Sequence, residues 1–396
     1  MASAPRIQFV VTNVDYKRRD PVFWIEVQTN ITKYKQKQKR FPRYYSELIK
    51  LHDYLSSTCD DVLIPALPSC PSPRFDKEGH LVGRQWWFTI RLPGEKLVDL
   101  GDIGSVENKI QLWFDRIVEH DRTKTSEGLR AFVESEVGFR PSIIPQQQQP
   151  QQQKLHQRIK SPKYVIVHVS PDDMEPEFGH CLEDLDIFSQ NLQAALTRLD
   201  KLVQEQNLMA RSWMDLSSSW VSYGGIERNP SLFILYKTIA KGYQQLVDLE
   251  RSQASAVNET LSDEILYELK NCESTQNAMQ RRLVALSDYL SSRKHTESSL
   301  RSVERLKSSI NIDRDQASEA IAILEDARIH ERNNLQRFER IDTNLRQDIE
   351  HQYKPNTAQD MLRTVKEYAK SQLYLEKKKL AVLNEIIVKQ DDVLIN

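Results

Sequence analysis

Residues 185–220 read LDIFSQNLQAALTRLDKLVQEQNLMARSWMDLSSSW, and this stretch decides what kind of fold the chain adopts. Leu185, Phe188, Leu192, Ala195, Leu199, Leu202, Gln206, Met209, Trp213, Leu216 and Trp220 follow one another in alternating steps of three and four, and only Gln206 is polar. That spacing keeps one stripe of an α-helix against a neighbour along its whole length, which is the signature of a coiled coil. Leu192, Leu199, Met209, Trp213, Leu216 and Trp220 are therefore candidate dimer contacts, with core packing as the alternative. The two tryptophans are candidate hot spots, and Gln206 is a candidate register-setting residue.

Downstream, Gly224, Gly225, Asn229 and Pro230 end this helix. A second apolar pattern runs from Leu232 through Leu246, Leu261, Leu269 and Met279 to Leu290, and a third from Ile321 through Leu335, Ile341 and Ile349. The third is expected to kink near Pro355 and to resume through Leu362, Leu373, Leu383 and Ile387. Ser308–Asp313 reads as the turn between the second and third helices. Helices this long with an exposed apolar stripe need a bundle or a partner.

Upstream, the composition changes. Residues 141–177 hold the glutamine tracts 146–149 and 151–153 among repeated prolines, and read as a linker. Within it, Tyr164–Val169 is β-prone enough for a short strand or docking segment. Residues 1–140 carry mixed signals. Ile7–Val14 and Val22–Asn30 are β-rich runs in a hairpin-like arrangement. A third extended run near Lys39–Tyr45 passes into a helix through Leu48, Leu51 and Leu55. The loop Ile64-Pro-Ala-Leu-Pro-Ser-Cys-Pro-Ser-Pro73 follows, then helices at Val106–His120 and Glu127–Val137. The expected organisation is a small α+β domain over 1–140, the linker over 141–177, and an all-α three-helix coiled-coil domain over 178–396.

Composition agrees with long solvated helices: 28% of residues are charged and only 11 are glycine. The net charge of −1 supplies no global field toward nucleic acid, so none is expected as a partner. Four scattered cysteines without a C-x-x-C pair, and an N-terminus without a signal segment, point to reduced thiols in a cytosolic protein. No apolar run approaches the roughly 20 residues of a membrane span. Histidines are scattered, and no H-E-x-x-H, phosphate-cradling glycine loop or G-x-S-x-G appears. The chain is thus expected not to be an enzyme and to need no cofactor or metal.

Arg43-Tyr-Tyr-Ser-Glu-Leu48, the Ile64-Pro-Ala-Leu-Pro68 turn at the expected distance, the helix around Trp113-Phe114, and Phe132-Val-Glu-Ser-Glu-Val-Gly-Phe139 together resemble the phox-homology (PX) domain. With three long helices after a linker, nearly the whole chain resembles the sorting nexins that join a PX domain to a BAR domain. The resemblance implies a peripheral endosomal coat subunit whose PX domain binds phosphatidylinositol 3-phosphate and whose BAR dimer shapes tubules for retrograde transport to the Golgi. It also implies partners: another PX-BAR sorting nexin, as a heterodimer or a homodimer, the retromer cargo-selective complex, and anionic or phosphoinositide membrane.

The carry-over of the lipid site is partial. The arginine that holds the 3-phosphate in the family falls on Tyr44, and the stacking tyrosine on Tyr45. The lysine after the proline turn falls near Ser69 and Cys70, and the later arginine at Val106 or Glu107. Each lost cation removes charge-assisted bonds of about 1.5–3 kcal/mol, so the pocket is expected to be degenerate.

Other candidate sites follow from charge and apolarity. Lys33, Lys35, Lys37, Lys39, Arg40 and Arg43 place four lysines on one face if extended, as anionic-lipid contacts or as edge-strand protection. Around the second turn, Arg293, Lys294, Arg301, Arg305, Lys307 and Arg314 outnumber the acids and form a candidate membrane-contact tip, with a solvated face as the bland alternative. Lys377–Lys379 reads mostly as plain surface. Trp86-Trp87-Phe88 reads as packing, partner contact or membrane insertion. A different class of function stays open as well: a protein-interaction scaffold whose PX module binds a polypeptide and whose helices act as a spacer.

Overall fold

The computed structural model of the 396-residue chain describes residues 5–16, 18, 20–70, 106–141, 175–308 and 314–395. The chain forms two compact units. The first comprises Met1–Leu67, Ile110–Ile187 and Asn271–Pro355; the second comprises Pro68–Lys109, Phe188–Lys270 and Asn356–Asn396.

In the first unit, β1 (Ile7–Asp15), β2 (Val22–Thr29) and β3 (Gln38–Tyr44) form an antiparallel meander in the order β1-β2-β3. The period-two alternation sends Phe9, Phe23, Ile25, Val27 and Phe41 inward. A register shift between Val11 and Asn13 bulges β1. Helix α1 (Tyr45–Thr58) lays Leu48, Leu51 and Leu55 on this core. Helix α2 (Val106–Glu119) contributes Ile110, Trp113, Phe114 and Ile117, all buried. Phe114 stacks on Phe9 with ring centroids 4.7 Å apart, and Phe132 meets Phe41 and Phe139 edge to face. Phe132 lies on α4 (Glu127–Glu134), whose first turn is capped by Ser126 accepting from the Gly128 N–H. A one-turn helix unforeseen from the sequence, α3 (Asp121–Lys124), is capped by His120, whose Nδ1 accepts the Arg122 N–H.

The lysine ladder expected at 33–39 does not form. Residues 31–37 turn back, with the Tyr34 N–H bonded to the Ile31 carbonyl, and β3 begins only at Gln38. Lys33, Lys35 and Lys37 are exposed but share no strand face with Lys39.

The segment after α1 is seated against two long helices of the same unit, α7 (Asp263–Lys307) and α8 (Arg314–Asp348). Leu63 joins a buried cluster with Ala278, Ala285, Ile341 and Leu345. Its N–H donates to Asp348 Oδ2 at 2.9 Å, and the Ala66 N–H to Asn271 Oδ1 at 2.8 Å. Burial pushes the Asp348 carboxyl up, and the Leu63 N–H and His120 pull it back. Beside them, Asp60 pairs with Arg337 and Arg340, and fully buried Asp61 with Arg122 and Arg340. The start of α5 (Pro176–Ile226) is also fixed in this unit, where the fully buried Arg282 guanidinium lies 3.5 Å from the Phe178 ring centre.

In the second unit, Asn229 caps α6 (Pro230–Val257), and Pro230 sits where a missing N–H is harmless. Leu246, Leu249 and Ala256 of α6 form a core with Leu375 and Val382 of α9 (Lys354–Ile395), flanked by Trp213 and Tyr243. A Cβ on Gly242 would fall 2.4 Å from Ile386 Cδ1, so the Ile386 side chain fills the space that this glycine leaves. Gln253 bonds to Gln372 and to Glu376, and Lys379 to Glu250 and Gln253, which pins α6 to α9. Lys378 is buried and Lys379 half-buried, so two of the three lysines 377–379 are structural and only Lys377 is exposed surface. π-helical turns occur at Asn258–Ser262 and Ile349–Tyr353. The second lies just before Pro355, where a kink is expected, and its wider turn accommodates the missing proline N–H while the helix continues into α9.

Candidate functional site

Three surfaces carry the residues singled out by sequence. The first is a cavity of about 560 Å³ beside β3, whose lining includes Arg18, Trp24, Lys39, Arg40, Arg43 and Tyr44. Its cations are largely committed to the protein itself. Arg43 is buried; its Nε and Nη2 donate to the Phe132 carbonyl at 3.0 and 2.5 Å, and Nη2 also to the Ser135 carbonyl at 2.6 Å. Burial lowers the Arg43 pKa and the nearby Glu47 carboxylate opposes the shift. Arg43, placed by sequence among the lipid-binding residues, thus closes β3 onto the end of α4. Lys39 Nζ donates to the Val133 and Glu134 carbonyls at 3.0 and 3.2 Å. Arg40 is exposed and lies over the Trp24 ring, 5.5 Å from its centre.

Tyr44 is 37% exposed and its hydroxyl accepts a 2.6 Å bond from Arg18, a residue sequence reasoning passed over in the β1–β2 turn. Tyr45 is half-buried against Phe23, with ring centroids 6.3 Å apart, and does not line the cavity. Glu47, inside the Arg43–Leu48 motif, accepts from the N–H groups of Tyr44 and Phe139 and ties the start of α1 to the chain end of the module. Gly138, with φ of 99°, makes the turn that brings Phe139 there.

The second surface is the end of α7. Lys294, Arg301, Arg305 and Lys307 are exposed and form no ion pair among the described residues, whereas Arg293 pairs with Glu297 at 3.4 Å. Helix α8 begins at Arg314, whose side chain lies outside the described residues, as do Trp86, Trp87 and Phe88, the strand-prone Tyr164–Val169 and the turn after Ser308.

The third surface belongs to the second unit. Along α5, Leu192 is buried within its own chain, which removes it from the uncovered part of the seam. Leu199 is half-buried, whereas Leu202, Met209 and Leu216 are exposed. Trp213 stacks on Tyr243 at 5.3 Å and Trp220 packs on Tyr236 at 5.5 Å, so both are partly covered from within. Gln206 is half-buried with its Oε1 lacking a hydrogen bond. On α9, Leu362, Leu373, Leu380 and Ile387 are each more than half exposed, continuing an apolar face that none of the described residues covers. Among the described residues, no helix is long and apolar enough to cross a membrane.

Comparison with known proteins agrees with this anatomy. A family model described as "Vps5 C terminal like" matches residues 156–387, and the PX domain model matches residues 31–136. Neither is a catalytic family. Vacuolar protein sorting-associated protein 17 of Schizosaccharomyces pombe is 24% identical over 386 residues, covering 97% of this chain; the chain spans 65% of that relative's length. The cryo-EM structure of the SNX-BAR Mvp1 tetramer aligns with a TM-score of 0.57 at 11% identity, covering 96% of this chain and 99% of that one, a likeness of fold. With a three-stranded sheet and its helices leading into long paired helices, the chain belongs to the Vps5 C-terminal-like family and has the PX-plus-BAR architecture of the sorting nexins.

Proposed function

We propose that the chain is a non-catalytic subunit of an endosomal sorting coat of the retromer type, which pairs through its helical region with a related sorting nexin. The pair would bind and shape tubular membrane for retrograde transport toward the Golgi, beside the cargo-selective complex. The observation that carries this reading is the uncovered apolar face of α5 and α9, since isolated long helices do not leave such rows in water. The exposed cations at the end of α7 suit anionic headgroups, each adding about 1 kcal/mol near a charged surface. The PX pocket is degenerate on this reading, with its phosphate position held by Tyr44 and with Lys39 and Arg43 bonded to backbone carbonyls. A heterodimer would then rely on the partner's PX domain for phosphoinositide.

That same commitment of Lys39 and Arg43 favours a second reading, a scaffold whose PX module binds a polypeptide. Vesicle sedimentation separates the two. The coat reading expects the pair to pellet with curved anionic vesicles, and expects Arg301→Glu with Arg305→Glu to release it. Absence of vesicle binding, alone and with any sorting nexin partner, supports the scaffold.

A further inference from the structure

Exposed lysines run beside the uncovered apolar residues of the second unit. On α9, Lys366, Lys370, Leu373, Lys377 and Leu380 succeed one another at steps of four and three, so they form one row on the helix surface, and every member is exposed. On α6, Phe233, Lys237 and Lys241 form another such row, again exposed. None of these lysines makes an ion pair among the described residues. The exposed carboxylate on the described part of α9, Glu376, is already bonded to Lys379 and Gln253. On α5 the exposed acids Asp200, Glu205 and Asp215 are matched by exposed Arg198, Lys201 and Arg211, so the uncovered face is apolar in its middle and carries its basic excess on α6 and α9.

We propose that these lysines select the pairing partner, and that the partner is a helical chain whose facing rows carry Asp and Glu rather than a second copy of this one. The inference rests on the pairing reading above and deepens it. A two-fold homodimer is isologous, so each patch meets its own copy. A net basic face then opposes a net basic face, and the charge-balanced α5 stripe offers the lysine rows no net negative surface to offset this. An acidic-flanked face gains attraction in the same place, while the apolar middle supplies affinity to either.

The test uses the full chain and a charge-reversed copy carrying Lys366→Glu, Lys370→Glu and Lys377→Glu, followed by light scattering at about 0.05 and about 0.5 M salt. The native chain alone is expected to self-associate weakly at low salt and more strongly at high salt. The native and reversed copies mixed together are expected to pair at least about tenfold more tightly than the native chain with itself at low salt, an advantage that high salt removes. A Lys→Gln triple variant, with circular dichroism on all copies, guards against misfolding and should self-associate more than native at low salt. Equal pairing within about twofold for all combinations overturns the inference. So does a reversed chain that keeps its pairing and loses only binding to anionic vesicles, since the lysines would then face lipid. Leu373→Asp with Leu380→Asp addresses the pairing reading separately: if that variant associates like the native chain, the pairing reading itself fails; if it abolishes association while charge reversal does nothing, only the selection by lysines fails.

Discussion

Replacing Arg43 by Met tests whether this arginine holds the protein together or holds a ligand. The substitution keeps the stem and removes the guanidinium of a residue that is only 3% exposed. The Phe132 and Ser135 carbonyls, and that of neighbouring Pro42, lose their charged donor at once. Bonds from a charged group contribute about 1.5–3 kcal/mol each, and relief from burying the cation returns part of that, so a net cost of about 3 kcal/mol follows. The stacking of the guanidinium on Phe41 and Phe132, at 4.7 and 5.3 Å, disappears as well. Amide hydrogen exchange of peptides covering residues 38–44 and 129–139 reads this directly, because about 3 kcal/mol lowers protection on the order of 100-fold. Arg43→Lys should restore little, since an ammonium cannot present the planar fork that spans the Phe132 and Ser135 carbonyls. Protection within about threefold of native, together with a fall in vesicle binding, would refute the structural role.

Asp61→Ala leaves Arg122 and Arg340 without the carboxylate they share, and should weaken the seating of residues 59–67 by about 2–3 kcal/mol, less than a wholly buried pair because both arginines are half exposed. Limited proteolysis at this segment should accelerate accordingly, and unchanged cleavage would count against the seat. Gly138→Ala puts a Cβ into a positive-φ site 3.1 Å from Glu47 Oε1 and should cost about 1–3 kcal/mol by thermal unfolding. Stability within about 0.5 kcal/mol of native would show that the turn relaxes freely. Tyr44→Arg frees Arg18 and installs one of the missing cations; binding to vesicles containing phosphatidylinositol 3-phosphate should rise about tenfold, and no rise would mean that position 44 does not face a headgroup.

The helical half was legible because its signal is periodic and long: a three-four alternation from Leu185 to Trp220 survives any local noise. Which side of that stripe meets its own chain was not. Leu192 is covered by its own chain, which a one-dimensional pattern cannot foresee, whereas Leu202 on the same stripe is exposed. The sheet was equally visible in the alternation of β2, but Lys33–Lys39 misled, because period two in the letters says nothing about whether the backbone is extended. Arg43 misled for a related reason. A motif assigns residue types, while the direction of a side chain depends on strand parity, and at position 43 parity points inward to Phe132 and Ser135. Asp60 and Asp61 were missed altogether, since a pair of acids after a helix resembles ordinary surface until the arginines from residues 281–340 arrive.

The seating of Leu63 among Ala278, Ala285, Ile341 and Leu345 has a practical side for anyone preparing the PX domain by itself. A recombinant piece stopping near residue 140 would present Leu63 to solvent and strand Asp61 without Arg340 or Asn344. Such a fragment is expected to aggregate or to bind surfaces nonspecifically, and an affinity measured on it would report the cut rather than the intact chain.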